Sequence, residues 1–216
     1  MARDFRTRLL KRASRIGLFL DDDLAAALTS YYELLARWNE KINLTSLSNL
    51  DEAIDRLLLE PVVAARVLAL PRVPTELMDV GTGGGSPAIP MSLAIGPEAR
   101  LTMVEVKARK SAFLREAVRQ LSLPSAVVEN ARYEELLARP NLLERFDLLS
   151  VRAVRVEPRV LMTLQAFLKP GGHMALFRGP SGPPVPPTIL HPLEWQATSP
   201  LIEGLQSRLT ILRKRT

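Results

Sequence analysis

Between Leu24 and Leu70 the apolar positions recur at intervals of three and four, as at Leu24, Leu28, Tyr31, Leu34 and Leu35, which predicts amphipathic helices. No run in this stretch alternates with period two, so no strand is expected there. Pro71 and Pro74 interrupt the helical pattern, and the texture changes beyond them. TELMDV, RLTMVEV, SAVVEN, FDLLSV and HMALF read as short strands; PAIPMSLAI, KARKSAFLREAVRQL, YEELLA and EPRVLMTLQAFLK read as the helices between them. Strands alternating with helices predict an α/β fold, a doubly wound sheet whose ligand sits beyond the carboxyl ends of its strands, near the first one. The pattern divides the chain into a helical cap with a basic arm, residues 1–72, and an α/β core, residues 73–216. The last part opens with the proline-rich SGPPVPP and closes with SRLTILRK, expected to be an edge strand.

Composition narrows the chemistry. With 216 residues, 47% of them hydrophobic, the chain can bury a sizeable core. It has no cysteine, which removes disulfides, thiolate ligands and a thiol nucleophile, and it has only His173 and His191 as imidazoles, neither at metal-ligand spacing. No metal is expected. No apolar run approaches a membrane span and the N-terminus lacks a signal-peptide core, so a cytoplasmic location is expected.

The formal charge of +6 attracts polyanions without identifying one. Six basic residues (Arg3, Arg6, Arg8, Lys11, Arg12 and Arg15) stand against Asp4 in the first fifteen positions. Leu9, Leu10, Ile16 and Leu18 interleave with them, so an amphipathic helix with a solvated basic face competes with a nucleic-acid contact and is slightly favoured. The basic LRKRT at the C-terminus carries the same ambiguity.

DVGTGGGSP, from Asp79 to Pro87, follows the first predicted strand. It lacks the Gly-Lys-Ser/Thr of a phosphate-binding Walker loop. Gly83, Gly85 and Ala88 satisfy a loose dinucleotide spacing, with Glu105 ending the second strand, but Asp79 places a carboxylate that would oppose a pyrophosphate. A cationic cofactor suits this acid better. S-adenosylmethionine is cationic at its ammonium and sulfonium, needs close backbone approach for its methionyl part and needs an acid such as Glu105 for its ribose diol. Pro87 then opens a helix, where a missing N–H costs nothing. FDLLSVRAV and FLKPGGHMALF, in which Lys169-Pro170-Gly171-Gly172 ends a helix and starts a strand, complete an arrangement like that of class I (Rossmann-like) methyltransferases. Taken alone, Pro170-Gly171-Gly172 is an ordinary helix stop.

RWNEKINLTS (Arg37 to Ser46), DVGTGGGSPAIP (Asp79 to Pro90), RKSAFL (Arg109 to Leu114), RYEE (Arg132 to Glu135), Arg152-Ala153 and LKPGG occur in that order. From about Tyr31 to Gly179 the chain resembles the glucose-inhibited division protein B family of bacterial small-subunit ribosomal RNA guanine-N7 methyltransferases. The resemblance implies S-adenosylmethionine as cofactor and small-subunit ribosomal RNA as partner; the resemblance aside, a monomer is expected. It also implies cofactor contacts from Asp79, Gly81, Thr82, Gly83, Gly85, Ser86, Glu105, Tyr133, Glu134 and Arg152. Three departures accompany it. The family usually has a bulky apolar residue at Ser86, Arg-His and Asp-Ser in place of Arg56-Leu57 and Glu60-Pro61, and Lys-Gly in place of Arg178-Gly179.

Guanine N7 carries a free lone pair, so its methylation needs no catalytic base. Arg152 is expected to position cofactor or guanine, with a salt bridge at a strand end as the equal alternative. Two further readings keep the same cofactor residues: a methyltransferase for a non-RNA substrate, and a noncatalytic RNA-binding paralogue altered at Leu57, Pro61 and Ser86.

Overall fold

The computed structural model describes residues 2–45, 49–68, 73–152, 157–180 and 189–216; the side chains of Ala2 and Arg3 are outside the description. Ser46, Pro71, Ala153 and SGPPVPP, all named in the sequence reading, also lie outside the described residues. Among those described, no helix is long and apolar enough to cross a membrane.

The N-terminal part is helical as its periodicity requires. It comprises α1 (Ala2–Arg15), α2 (Asp22–Asn39), and α3 (Leu50–Ile54), which runs through a π-helical turn (Asp55–Leu59) into α4 (Glu60–Leu68). Asp21 caps α2 by accepting from the Leu24 N–H at 2.7 Å, and Asn49 caps α3. The arm is the amphipathic helix α1. Its Phe5, Leu9 and Ala13 are buried, while Arg6 pairs with Asp22, Arg8 with Asp51, and Arg12 with Asp51 and Asp55. Half of the arm's six basic residues therefore hold it to α2 and α3.

The remainder is built on one seven-stranded sheet. Its strands are β1 (Glu76–Val80), β2 (Arg100–Val104), β3 (Ala126–Glu129), β4 (Phe146–Arg152), β5 (Leu168–Arg178), β6 (Leu193–Pro200) and β7 (Arg208–Lys214). In space they run β3-β2-β1-β4-β5-β7-β6, parallel from β3 to β5, with β7 antiparallel to β5 and to β6. The helices are α5 (Ala88–Ile95), α6 (Ala108–Gln120) and α7 (Pro158–Leu164). Because side chains alternate across a strand, the sheet buries two layers. Leu77, Leu101, Met103, Leu148, Ala175, Phe177 and Ile211 face α1 to α6, and Met78, Val104, Leu149, Val151, Leu176 and Leu212 face α7 and the turns beside it.

Four sequence expectations change. SRLTILRK becomes β7, which is interior; the edge is β6, from HPLEWQATSP, a strand too polar to stand out. YEELLA is a 3-10 turn (Tyr133–Ala138), since six residues ahead of Pro140 leave little room for an α-helix. EPRVLMTLQAFLK is helical only through Phe167, where the short turn Gln165–Phe167 ends. Lys169 to Gly172 lie wholly inside β5, as an irregularity where its register on β4 jumps from Phe146↔Leu168 to Leu148↔His173. A Cβ at Gly172 would meet the carbonyl oxygens of Lys169, Phe146 and Asp147 at 2.9, 3.1 and 3.3 Å, so only glycine fits there. Lys169 pairs with Asp147 at 2.8 Å, and Asp147 also accepts from the Thr75 and Glu76 N–H groups. This motif closes the amino-terminal edge of the sheet, away from the glycine loop.

Candidate functional site

β1 is flanked by β2 on one side and β4 on the other, so the chain reverses its direction of winding at β1. A crevice opens at such a point beyond the carboxyl ends of the strands. Asp79, Gly81, Thr82, Gly83, Gly85, Ser86, Glu105 and Arg152 all lie at that edge, on β1, β2, β4 or the loops that leave them.

The loop is folded by its own backbone. The Gly81 and Thr82 N–H groups donate to the Val104 carbonyl at 2.9 and 3.2 Å, and the Gly85 N–H donates to the Thr82 carbonyl at 2.9 Å. Glu105, just past β2, accepts from the Gly83 N–H at 2.9 Å and the Lys107 N–H at 2.8 Å. Asp79 is buried in β1 and accepts from the Ser150 hydroxyl. Burial, aided by the nearby Glu105 charge, pushes the Asp79 carboxyl up to about 6 against the opposing pull of Ser150, Thr82 and Arg152. The loop thus spans two buried carboxyl groups, Asp79 and Glu105.

The cap shapes this loop from outside. Tyr31 in α2 is fully buried, and its hydroxyl donates to the Gly84 carbonyl. Burial raises its pKa, so it remains a neutral donor. Gly85, at φ +90°, has no room for a side chain: a Cβ would approach Ile89 Cδ1 to 2.7 Å and the Tyr31 hydroxyl to 3.1 Å. Leu35 and Leu44 press on Gly84, Asn39 closes the following turn by accepting from the Leu44 and Thr45 N–H groups, and Trp38 packs edge-on against Phe113 of α6 at 5.8 Å. The segments RWNEKINLT, DVGTGGGSP and RKSAFL, far apart in sequence, are therefore one packed unit. The periodicity had placed Tyr31 in the apolar stripe, and only its hydroxyl hinted at a polar partner.

Arg152 is the hub of the other side. From the end of β4 it donates to Glu60 at 2.7 Å, to the Arg56 carbonyl at 2.7 Å and to Ser86 Oγ at 3.1 Å, while its guanidinium lies 4.6 Å from the centre of the Phe177 ring. Ser86 in turn donates to the Leu57 carbonyl at 2.9 Å. Burial pushes the guanidinium pKa down, and Glu60 and Asp79 oppose that push. Glu60 is 4% exposed, so this is a buried ion pair. Two of the departures from the family pattern, Ser86 and the Arg56-Leu57/Glu60-Pro61 pair, thus meet in one network around Arg152. The Ser86 hydroxyl and the Arg152 fork are engaged inside the protein, and the salt-bridge alternative for Arg152 is the contact present.

Tyr133 and Glu134 open the turn after β3, beside Asn130, whose amide donates to the Glu105 and Val106 carbonyls at 2.9 and 3.0 Å. They join the same edge. Burial pushes the Tyr133 hydroxyl up, with Glu134 adding to the effect. Among the described residues no group of three or more His, Cys, Asp or Glu side chains is placed to hold a metal ion. Arg178, at the end of β5, entered the sequence reading only as a departure. Its Nε and Nη2 are buried without a hydrogen-bond partner.

The donor set fits a cationic ligand. A carboxyl held up to about 6 by burial loses that penalty when a positive group settles beside it, whereas a pyrophosphate would increase it.

The architecture matches known methyltransferases. A SAM-dependent methyltransferase from Aquifex aeolicus superposes with a TM-score of 0.59 over 84% of this chain and 98% of its own, at 14% identity, a likeness of fold. In sequence, the ribosomal RNA small subunit methyltransferase G of Acetivibrio thermocellus is 32% identical over 82% of this chain and 72% of its own. The protein of the same name from Stenotrophomonas maltophilia K279a is 36% identical over 74% of this chain and 71% of its own. The profile of the GidB family, rRNA small subunit methyltransferase G, matches residues 24–183, which include nearly all of α2, α3, α4, the glycine loop and every strand from β1 to β5, and leave α1 outside. The chain belongs to the rRNA small subunit methyltransferase G family.

Proposed function

We propose that the protein transfers a methyl group from S-adenosylmethionine to guanine N7 in small-subunit ribosomal RNA. The observation that carries this reading is the acid-lined glycine loop at the switch point of the sheet, in a chain of this family. When bound, the cofactor supplies an electrophilic methyl on a sulfonium: the N7 lone pair forms the new N–C bond as the C–S bond breaks, and the sulfur keeps that electron pair.

The chain's own part is to bind, orient and exclude water. Asp79 and Glu105 set a negative potential under the loop that favours the cationic donor over its neutral product. Glu105, just past β2, would take the ribose diol, and Tyr133 and Glu134, in the turn after β3, the adenosine. Arg152 moves no proton. It ties Ser86 to the 56–60 segment and so keeps the loop in one conformation for in-line transfer. Its guanidinium never acts as a base, and N7 requires none. RNA affinity comes from exposed cations, among them Lys11 and Arg15 of α1.

Incubation with methyl-labelled S-adenosylmethionine and deproteinised small-subunit RNA, then nuclease digestion, tests the reading. Label in 7-methylguanosine is expected. Label in another nucleoside, or none in RNA under conditions where the cofactor binds, overturns it.

A further inference from the structure

β4 and β5 end side by side at the carboxyl edge of the sheet, with Arg152 opposite Phe177. Arg178 is the next residue, and strand alternation turns it to the face opposite Phe177, the face of Leu176 and α7. Its Nε and Nη2 are shielded from water and have no acceptor, and among the described residues Arg6 Nε is the only other buried side-chain nitrogen or oxygen in that condition. Nε and Nη2 share one edge of the guanidinium. That edge is the two-pronged donor that fits two oxygens of a carboxylate or phosphate.

A second observation concerns the strand beside it. Arg208 of β7 stands directly across from Arg178 in the antiparallel register, so two guanidinium side chains leave the same face of neighbouring strands. No acid among the described residues forms a salt bridge with either. Like charges placed opposite each other cost stability, and a desolvated donor edge without an acceptor costs more. Burial accordingly pushes the Arg178 pKa down. A Cβ at the adjoining Gly179 would meet nothing within 4 Å.

We propose that Arg178, with Arg208 beside it, is a binding site for a backbone phosphate of the RNA substrate. The site rests on the reading of RNA as substrate. Its donor edge is completed by the phosphate oxygens, which anchor the strand next to the cleft at β1 and β4. A phosphate carries no base identity, so the contact fixes register and orientation and leaves choice of guanine to the cleft. A cost carried by the free protein and removed in the complex is the signature of such a position.

The test uses the full chain with Arg178→Met and Arg178→Lys, and deproteinised small-subunit RNA as the probe. Affinity is measured across a salt series, with thermal unfolding and S-adenosylmethionine binding alongside. Arg178→Met should weaken RNA binding about tenfold or more and lower the salt slope by about 0.7 to 0.9, the release expected for one phosphate contact. Its unfolding temperature should be equal to or above that of the unaltered chain, and cofactor affinity should be unchanged. Arg178→Lys should keep most of the salt slope and lose part of the affinity. A fall in unfolding temperature with RNA affinity and salt slope intact would overturn the proposal, since that is how a structural arginine behaves. So would weaker RNA binding with an unchanged salt slope. Methyl transfer by the unaltered chain, run on the same RNA, judges the proposed function separately: without transfer that function fails, while the salt slope still decides the phosphate contact.

Discussion

Arg152 and Arg178 end neighbouring strands, one on the cap face of the sheet and the other on the α7 face, and they are treated in opposite ways. Arg152 meets a buried carboxylate, a backbone carbonyl, a serine hydroxyl and an aromatic ring. Arg178 keeps an empty donor edge and faces a second arginine across the strands. Around Arg152 the protein completes its own hydrogen bonds and ties the end of the glycine loop to the cap. Arg178 leaves its donor edge incomplete, as a surface does when the missing acceptor belongs to a partner. A satisfied and an unsatisfied arginine at the ends of neighbouring strands therefore separate architecture from recognition.

The largest expected effect comes from opening the cap-face network. Glu60→Ala strands the Arg152 charge in a buried position, and breaking a buried pair by removing one partner costs about 3–5 kcal/mol. Urea unfolding should show that loss, and the double variant Glu60→Leu/Arg152→Met should recover much of it, because neither buried charge then remains. A Glu60→Ala chain as stable as the unaltered one would mean that Arg152 is held by something other than this pair.

Asp79 gives the next largest effect, with a sign that sets stability against binding. Its pKa in the fold, about 6, stands above the ordinary 3.8, so its contribution to stability is present in full below 3.8 and is lost as pH rises through about 6. At neutral pH the ionised, buried carboxylate costs the free protein about 3 kcal/mol by that shift. Asp79→Asn should therefore raise the stability of the free protein at pH 7 by up to that amount, most of the gain disappearing at pH 4, while cofactor binding falls. Loss of stability at pH 7 would show that the Ser150 contact requires the ionised acid.

A smaller effect is expected from Tyr31→Phe. It removes one hydrogen bond to the Gly84 carbonyl and leaves the ring packing on Gly85, so stability should fall by about 1 kcal/mol. Cofactor affinity should weaken by more than this loss of stability alone explains, since the same contact shapes the loop. Unchanged affinity would separate the cap from the site.

Much of this was legible in the sequence, and what was not has a common cause. Period-four spacing gave the cap helices, and short apolar runs gave β1 to β5, because both are local patterns. The position of β7 depends on its pairing with β5 and β6, and β6 itself is a half-exposed strand whose polar residues resemble a loop. LKPGG has the composition of a helix stop, yet Gly172 is needed for close approach to the carbonyls of β4, a contact that no spacing reveals. At the candidate site, the position of Asp79 near the end of the first strand, of the glycines after it and of Glu105 after the second could be read from local pattern. The Tyr31 contact spans 53 residues and the Arg152–Glu60 contact spans 92, so both were out of reach of local pattern. The unpaired edge of Arg178 could not be read at all, because a missing partner leaves no trace in sequence.

The most direct test of the acid-lined loop as the seat of a cationic methyl donor is calorimetric titration of the protein with S-adenosylmethionine between pH 5 and 8, with S-adenosylhomocysteine and NADH as comparison ligands. Because ionised Asp79 is the favoured partner of the cation, affinity for S-adenosylmethionine should rise as pH passes through about 6 and then level off. Asp79→Asn should flatten that rise, and NADH should not bind. Saturable NADH binding without binding of either methyl-cycle ligand, or S-adenosylmethionine affinity that falls as pH rises through 6, would contradict the account.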